Sequence, residues 1–455
     1  MKIFAARRNR EVLTEGGLLK AIAVLAVPML AGAVLQNVQS LIDLFWVGRL
    51  GSRAVAAVAM SGTILMVLFP MLMGLSTGTI ALVSRSVGAG RPEDAAAAAG
   101  QSLMLAVVLG GITAACGWLF SPHLFRLLGA EPELIHDGSI YLRICLIGSF
   151  TVFILFIGNA ALQGAGDAVT PMCIMAVSNV VNIILDPLLI FGPGPFPCLG
   201  IRGAASATVI SQAAAAGLSL YILFTGKTHL RIHLKQWIPR AELSWRILRI
   251  GLPGSGQMLS RSLMSAVLMR IVASCGTAAV AAYGVGMRFH MIALMPAFAL
   301  GGAAATMVGQ NLGAGKPARA RRAAWAAVGL DMVFMTGIAA VLMIFAPALI
   351  RFFNSEPDVV RTGTDYLRIV SPSYIFAALG IVFGRALNGA GDSMSPMIIT
   401  VATLWGLQVP LAVMLSRIWE PATSGIWWAI VAAIIFQGLL AAWWFERGTW
   451  SRKTV

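Results

Sequence analysis

The sequence predicts an all-α membrane protein of twelve transmembrane helices in two pseudo-symmetric six-helix lobes. Three observations carry this prediction. The 455 residues are 58% hydrophobic and only 11% charged, where a soluble domain carries about 25%, and mean hydropathy is +0.84. A spanning helix needs about 20 apolar residues, so twelve spans with short connections take about 38 residues each and fill the chain. The chain also repeats itself. "VGAGRP" at 87–92 returns as "LGAGKP" at 312–317, "YLRI" at 141–144 returns at 366–369, and "GAGD" at 164–167 returns at 389–392. Pro28 answers Pro253, and Glu131-Pro132 answers Glu356-Pro357, always 225 residues on. Such self-similarity marks duplicated structural units.

The first half accommodates helices near 18–47, 54–84, 94–120, 137–163, 170–192 and 203–225. The first follows Arg7, Arg8 and Arg10 and contains "AGA" at 31–33, which could pass for the end of a secretory signal. Its apolar run continues to residue 47 and has a partner later in the chain, so it reads as a span. The glycines of "GAGDAVTPM" close the fourth helix. Thr170 is expected to cap the fifth, with Pro171 at its first position. The second half repeats the set near 244–275, 279–309, 319–346, 360–388, 395–416 and 425–446, with Ser395 and Pro396 in the capping roles. The expected organisation is a first lobe over 1–225, a linker over 226–243, a second lobe over 244–446 and a tail over 447–455. Six spans are an even number, so both lobes enter the membrane in the same orientation. They are then related by an axis along the membrane normal, as in many transporters.

Net charge is +15. In a membrane protein this reads as positive-inside bias and not as a nucleic-acid footprint. Basic residues cluster at Lys2, Arg7, Arg8 and Arg10, in the linker at Lys227, Arg231, Lys235 and Arg240, at Lys316, Arg319, Arg321 and Arg322, and at Arg447, Arg452 and Lys453. If all are cytoplasmic, both termini are inside. Cys116, Cys145, Cys173, Cys198 and Cys275 are odd in number and follow no spacing, which argues against a disulfide framework or zinc site. Four lie in apolar runs and read as packing residues.

Several motifs fail on inspection. "GAGK" at 313–316 lacks the first glycine of a phosphate loop, and Pro317 stands where Ser or Thr is needed. "GAGD" is shared with intramembrane aspartyl proteases, but here it occurs once per half in tight turns, so Asp167 and Asp392 read as turn or capping residues. His229 and His233 are four apart in a basic linker with no third ligand. No nucleophile, cofactor or metal signature survives, and no cofactor is expected.

The repeat breaks in an informative way. Shifted by 225 residues, Asp186 becomes Leu411, Asn182 becomes Leu407, Asp43 becomes Leu268 and Asn159 becomes Gly384. A residue that only holds the six-helix fold should tend to appear in both halves, so these polar groups point to chemistry. Asn179, Asn182 and Asp186 share one helical face, as do Gln36, Ser40 and Asp43, while Asn159 and Gln163 are four apart. Three helices of one half thus carry polar stripes that should face a common interior site. An Asp in a spanning helix costs about 2.5–3.5 kcal/mol on insertion scales and usually marks an ion or proton path. Paired carboxyls can hold a proton, or their oxygens can coordinate Na⁺. Pro187 lacks an N–H and clashes with the Ile183 carbonyl, so a kink and a freed carbonyl oxygen are expected there. Pro28 is a second candidate hinge. Arg261, Arg270, Arg288 and Asp331 are the charges of the second half, and no role follows from their spacing.

"DLFWVGRLG", "ALQGAGD", "NIILDPLLIFG" and "GIRGAASATVISQ", set in two six-helix lobes, resemble the multidrug and toxic compound extrusion (MATE) transporters of the MOP superfamily, nearest to the prokaryotic DinF-like branch. The resemblance covers nearly the whole chain. It implies an antiporter in a bacterial or archaeal plasma (inner) membrane that exchanges H⁺ or Na⁺ for organic, often cationic, compounds by alternating access. On matching positions Asp43, Asn182 and Asp186 form the cation site with Thr208 beside them. Gln36 and Asn159, with Ser40 and Asn179 on the same stripes, line the substrate cavity, and helix 1 bends at Pro28. A monomer is expected. Two other readings stay open: a lipid-linked sugar flippase of the same superfamily, and an intramembrane aspartyl protease built on Asp43 and Asp186.

Overall fold

The computed structural model describes residues 13–194, 197–228 and 230–453. The basic residues Lys2, Arg7, Arg8 and Arg10 and the histidine His229 lie outside the described residues. Twelve helices follow in the expected order, several of them in two pieces. They are α1 Leu18–Gly48; α2 Ser52–Leu65 and Leu68–Gly88; α3 Pro92–Leu127; α4 Pro132–Ile147 and Ser149–Gly164; α5 Val169–Phe191; α6 Ile201–Thr225; α7 Ala241–Ala273; α8 Thr277–Ala293 and Met295–Gly313; α9 Pro317–Phe353; α10 Pro357–Val370 and Tyr374–Gly389; α11 Met394–Ile418; and α12 Ala422–Glu446. Ten are long and apolar enough to cross a membrane, and α4, bent by 42°, is an eleventh. The remaining long helix, α7, carries Arg246, Arg249, Arg261 and Arg270.

Helices α3 and α9 run about two turns beyond the apolar stretches expected at 94–120 and 319–346. The extensions are held by packing rather than by lipid. Phe125, fully buried, sits in a cluster with Leu142 and Leu146 of α4. In α11, residues Leu404–Gln408 widen into a π-helical turn.

The duplication extends to backbone conformation. Gly166 and Gly391 close equivalent turns at φ 90° and 86°, a region that side chains disfavour. In the same turns the capping roles are reversed from expectation. Asp167 accepts from the Thr170 amide at 3.0 Å and its hydroxyl at 2.6 Å, and Asp392 accepts from the Ser395 hydroxyl at 2.7 Å. The carboxylate is therefore the cap and the hydroxyl the donor, because each helix starts one or two residues earlier than the proline suggested. The five cysteines are free. Cys116 and Cys173 are exposed, so they do not pack a core as their apolar surroundings suggested, and Cys198 of the loop before α6 is exposed too.

The chain forms two compact units, and among the described residues the second is discontinuous in sequence. One comprises Val27–Leu252 among the described residues, the other Leu13–Ala26 with Pro253–Val455. The changes of unit fall one residue before Pro28 in α1 and at Pro253 in α7, equivalent places in the repeat. In the second unit, Asn311 donates to the Leu13 carbonyl at 3.3 Å, and the Lys316 ammonium bonds Glu15 at 3.0 Å and the Thr14 carbonyl at 3.3 Å. In the first, the start of α7 lies so close to α2 that a side chain at Gly78 would come within 2.4 Å of the Ile247 carbonyl oxygen.

The linker is tied to the first unit by one buried side chain. Gln101 of α3 donates to the Gln236 and Ile238 carbonyls at 2.7 Å each, and accepts from the Arg240 amide at 2.9 Å and the Ser244 hydroxyl at 3.1 Å. His233 opens a short turn there, its amide bonded to Gln236 at 2.8 Å. Among the described residues no group of His, Cys, Asp and Glu could hold a metal. Replacing Gln101 with Leu removes four hydrogen bonds worth about 1 kcal/mol each. Trypsin cleavage at the linker's Lys235 and Arg240 should then accelerate on the order of tenfold; an unchanged rate would show that the linker is held elsewhere.

Candidate cation site

The site grows from α5. Asn179, Asn182 and Asp186 are 4%, 0% and 1% exposed, whereas Val177, Val180 and Ile184 on the opposite face are 42%, 56% and 53% exposed. The helix thus turns its amides and carboxyl inward and its branched apolar side chains outward, as expected of a helix facing lipid. The Asn179 amide donates to the Leu35 carbonyl at 2.7 Å, which docks α5 on α1. The Asn182 amide donates to Asp186 Oδ1 at 3.3 Å. From α1, Asp43 stands within interaction range of both Asp186 and Asn182.

Two carboxyl groups held close together away from bulk water repel when both are ionised, so a proton or a cation shared between them is favoured. The neighbouring oxygens make the same point. Asp43 Oδ1, Asp186 Oδ2, Asn182 Oδ1 and Asn179 Oδ1 are all buried without a donor. Buried acceptors are nearly always satisfied. A cluster of orphaned oxygens drawn from two helices is the donor set that a hard cation needs.

Around the cluster, Val47, Ile190 and Ala204 pack together from α1, α5 and α6, with Tyr141 of α4 against them. Tyr141 lies within electrostatic range of both Asp43 and Asp186. Sequence reasoning missed Tyr141 for a definite reason. It belongs to the repeated "YLRI", and its counterpart Tyr366 made it look like a residue of the fold.

Not every expected residue joins the cluster. The Thr208 hydroxyl donates within its own helix to the Ala204 carbonyl at 3.0 Å. Asn159 lies in the second piece of α4 with its side-chain oxygen buried and unpartnered. Gln36 and Ser40 are exposed, and the Ser40 hydroxyl bonds the Gln36 carbonyl at 3.1 Å. The buried polar partner of Asp43 on α1 is instead Gln39, 4% exposed and one turn away. Gln36, Ser40 and Asp43 share one helical face, since seven residues fall only about 20° short of two turns, and along it Gln36 and Ser40 are exposed while Asp43 is half-buried. Helix α5 continues through Pro187 to Phe191 as one helix.

The equivalent positions of the second unit carry apolar side chains. Leu268, the counterpart of Asp43, is 2% exposed in its hydrophobic core, and Leu411, the counterpart of Asp186, packs against that core. The duplicated fold therefore keeps its shape with leucines where the first unit has carboxyls.

Twelve helices, two duplicated six-helix lobes and a buried oxygen cluster in one lobe define a multi-pass membrane transporter. The MatE family model matches residues 28–188 and 253–414, and the chain belongs to this family. It is similar to a probable multidrug resistance protein NorM of Thermotoga maritima, with 29% identity over 96% of this chain and 94% of that one. An FAD transporter of Shewanella oneidensis is 32% identical over 90% of this chain and 91% of its own. A crystal structure described as MATE in the bent conformation superposes with a TM-score of 0.90 at 27% identity, covering 96% of this chain and 97% of that one. These are transporters and not enzymes. The contact between Asp43 and Asp186, which an aspartyl protease would also need, belongs here to a transport protein.

Proposed function

We propose that the protein is a secondary antiporter of the plasma membrane, both termini cytoplasmic, that exports organic molecules in exchange for H⁺ or Na⁺ bound at Asp43, Asn182 and Asp186. The observation that carries this reading is the set of buried oxygens without donors on Asp43, Asp186, Asn182 and Asn179, with the two carboxyls within electrostatic range of each other. The oxygens of the site favour a proton or cation by their chemistry. Filling it removes a net charge from the lipid-facing lobe, and that difference between the two states is what an ion gradient can act on. The names of the relatives span drugs and a flavin dinucleotide, so the shared feature is transport of mid-sized organic molecules.

The test is efflux of a fluorescent organic dye from vesicles holding the purified chain, under an imposed pH gradient or an imposed Na⁺ gradient. One of the two should drive uphill efflux and identify the ion. Efflux indifferent to both gradients removes the antiporter reading.

Pro28 supplies the hinge in this reading. It lies in α1 beside the point where the chain changes unit, and α1 also carries Asp43. Restoring the missing N–H with Pro28→Ala stiffens the helix, since an interior proline costs about 3 kcal/mol of helix stability. Dye binding should persist while gradient-driven turnover falls on the order of tenfold. Turnover equal to wild type would take the hinge away from Pro28.

A further inference from the structure

The second half holds charges that the first half lacks. By the repeat, Arg261 of α7 corresponds to Gln36, Arg385 of α10 to Ala160 and His290 of α8 to Leu65. Within the second unit these residues are neighbours. Arg261 acts electrostatically on Arg385 and on His290. His290 Nδ1 is 3.0 Å from the Tyr374 hydroxyl, and the two rings meet edge to face with centroids 5.3 Å apart. The Arg385 guanidinium stands 5.6 Å over the Phe298 ring. Its stem runs along Gly301, where a Cβ would approach it to 3.0 Å.

Among the described residues neither arginine forms an ion pair. The nearest candidate by burial, Asp331 of α9, has both carboxyl oxygens unpartnered and so does not neutralise them. Both arginines are half-buried, and like charges drawn together there with no counter-charge are costly. The cost is recovered when an anion arrives. Two guanidinium forks present more donors than one carboxylate accepts, and their planar geometry matches phosphate oxygens bidentately.

We propose that Arg261 and Arg385, with His290 and Tyr374 beside them, bind the phosphate group of the transported molecule, a phosphate-ester anion. This rests on the export reading above and names its substrate class. The same chemistry occurs on a soluble organic phosphate and on an anionic lipid headgroup, and the test separates them.

The experiment measures binding of radiolabelled FAD and of ethidium, a phosphate-free organic cation, to the full chain in phosphatidylcholine vesicles without any gradient. Inorganic pyrophosphate should displace FAD and leave ethidium in place. Arg261→Gln and Arg385→Gln should each weaken FAD binding more than tenfold, since bonds to a charged group contribute about 1.5–3 kcal/mol. Ethidium binding should hold, and Arg385→Lys should fall between. If adding phosphatidylglycerol displaces FAD from wild type, the phosphate ester is a lipid headgroup; if it does not, the substrate is soluble. The proposal is overturned if wild type shows no pyrophosphate-sensitive binding, or if the glutamine variants bind FAD as wild type does. Should a glutamine variant lose ethidium as well, the lysine variant decides, because it keeps the charge and the fold but not the fork. The binding assay uses no gradient. Correct FAD selectivity without gradient-driven transport would therefore sink the antiporter reading alone.

Discussion

Asp186→Asn should abolish gradient-driven efflux, lowering its initial rate on the order of a hundredfold, near the upper range expected for coupling free energies of about 1–3 kcal/mol. The substitution keeps shape and volume and replaces an oxygen by an amide nitrogen. Asp186 Oδ1 already accepts from Asn182 at 3.3 Å and its Oδ2 is buried without a donor. An amide there cannot lose or gain a proton and offers one oxygen fewer to a cation. Asp43→Asn should give the same loss, because the two carboxyls lie within electrostatic range of each other and, in the proposed reading, share a single proton or cation. Two unit charges 4 Å apart repel by about 4 kcal/mol at an effective dielectric of 20, so the pair behaves as a unit and not as two sites. The double variant should therefore be no worse than either single one, a non-additivity expected of groups in contact. Dye binding should survive in all three, since neither change creates a cavity. Normal uphill efflux by either single variant would show that coupling resides elsewhere.

Much of this arrangement was legible in the sequence, and the reason is physical. In lipid every backbone polar group must be satisfied within its own helix, so an apolar run of sufficient length already specifies the element. A carboxyl inside such a run is conspicuous, and comparing the halves isolated Asp43, Asn182 and Asp186 before any geometry was known. The method failed where its assumptions failed. Tyr141 is repeated as Tyr366 and so looked structural, yet it stands beside the carboxyls in one unit, while Tyr366 is packed among Tyr283 and Trp427 in the other. The clustering of Arg261 with Arg385 joins residues on α7 and α10 that no local pattern connects. The change of unit at Val27 and Pro253 was also invisible. A proline announces a bend, but not which neighbours the helix meets on either side of it.

Gly203→Ala should destabilise the protein sharply, with Gly203→Val worse, and should also weaken ion coupling. Gly203 is the third residue of α6, and a Cβ there would lie 2.1 Å from the Leu189 carbonyl oxygen and 2.8 Å from the Ile190 nitrogen. Both obstacles are backbone, so no rotamer change can relieve the clash. The loop around Gly203 is fastened too, with the Leu199 amide bonded to the Leu189 carbonyl at 3.1 Å and the Gly200 amide to the Ile190 carbonyl at 3.1 Å. The helices must separate to admit even a methyl group. Overpacking usually costs about 1–3 kcal/mol and sometimes more, and a backbone obstacle places this case at the upper end. The consequence for function follows from position. Leu189 and Ile190 lie within a turn of Asp186, and Ile190 is wholly buried against Val47 and Ala204. Val47 is one turn beyond Asp43 on α1, so pushing α6 away from α5 loosens the wall that holds the two carboxyls together. The second unit uses the same device at Gly425, where a Cβ would meet the Leu415 carbonyl oxygen at 2.5 Å. Gly217 is the control. It lies on the same helix with nothing within 4 Å of its Cβ position, so Gly217→Ala should be neutral or stabilise by about 0.5–1 kcal/mol through helix propensity. Thermal unfolding in detergent, read by monodisperse elution after heating, should rank Gly217→Ala at or above wild type, then Gly203→Ala, then Gly203→Val. If Gly203→Ala melts with wild type yet loses coupling, the glycine serves the site and not the fold. If it melts early but the surviving protein couples normally, the α5–α6 contact does not seat Asp186, and the docking of Asn179 on Leu35 must do so alone.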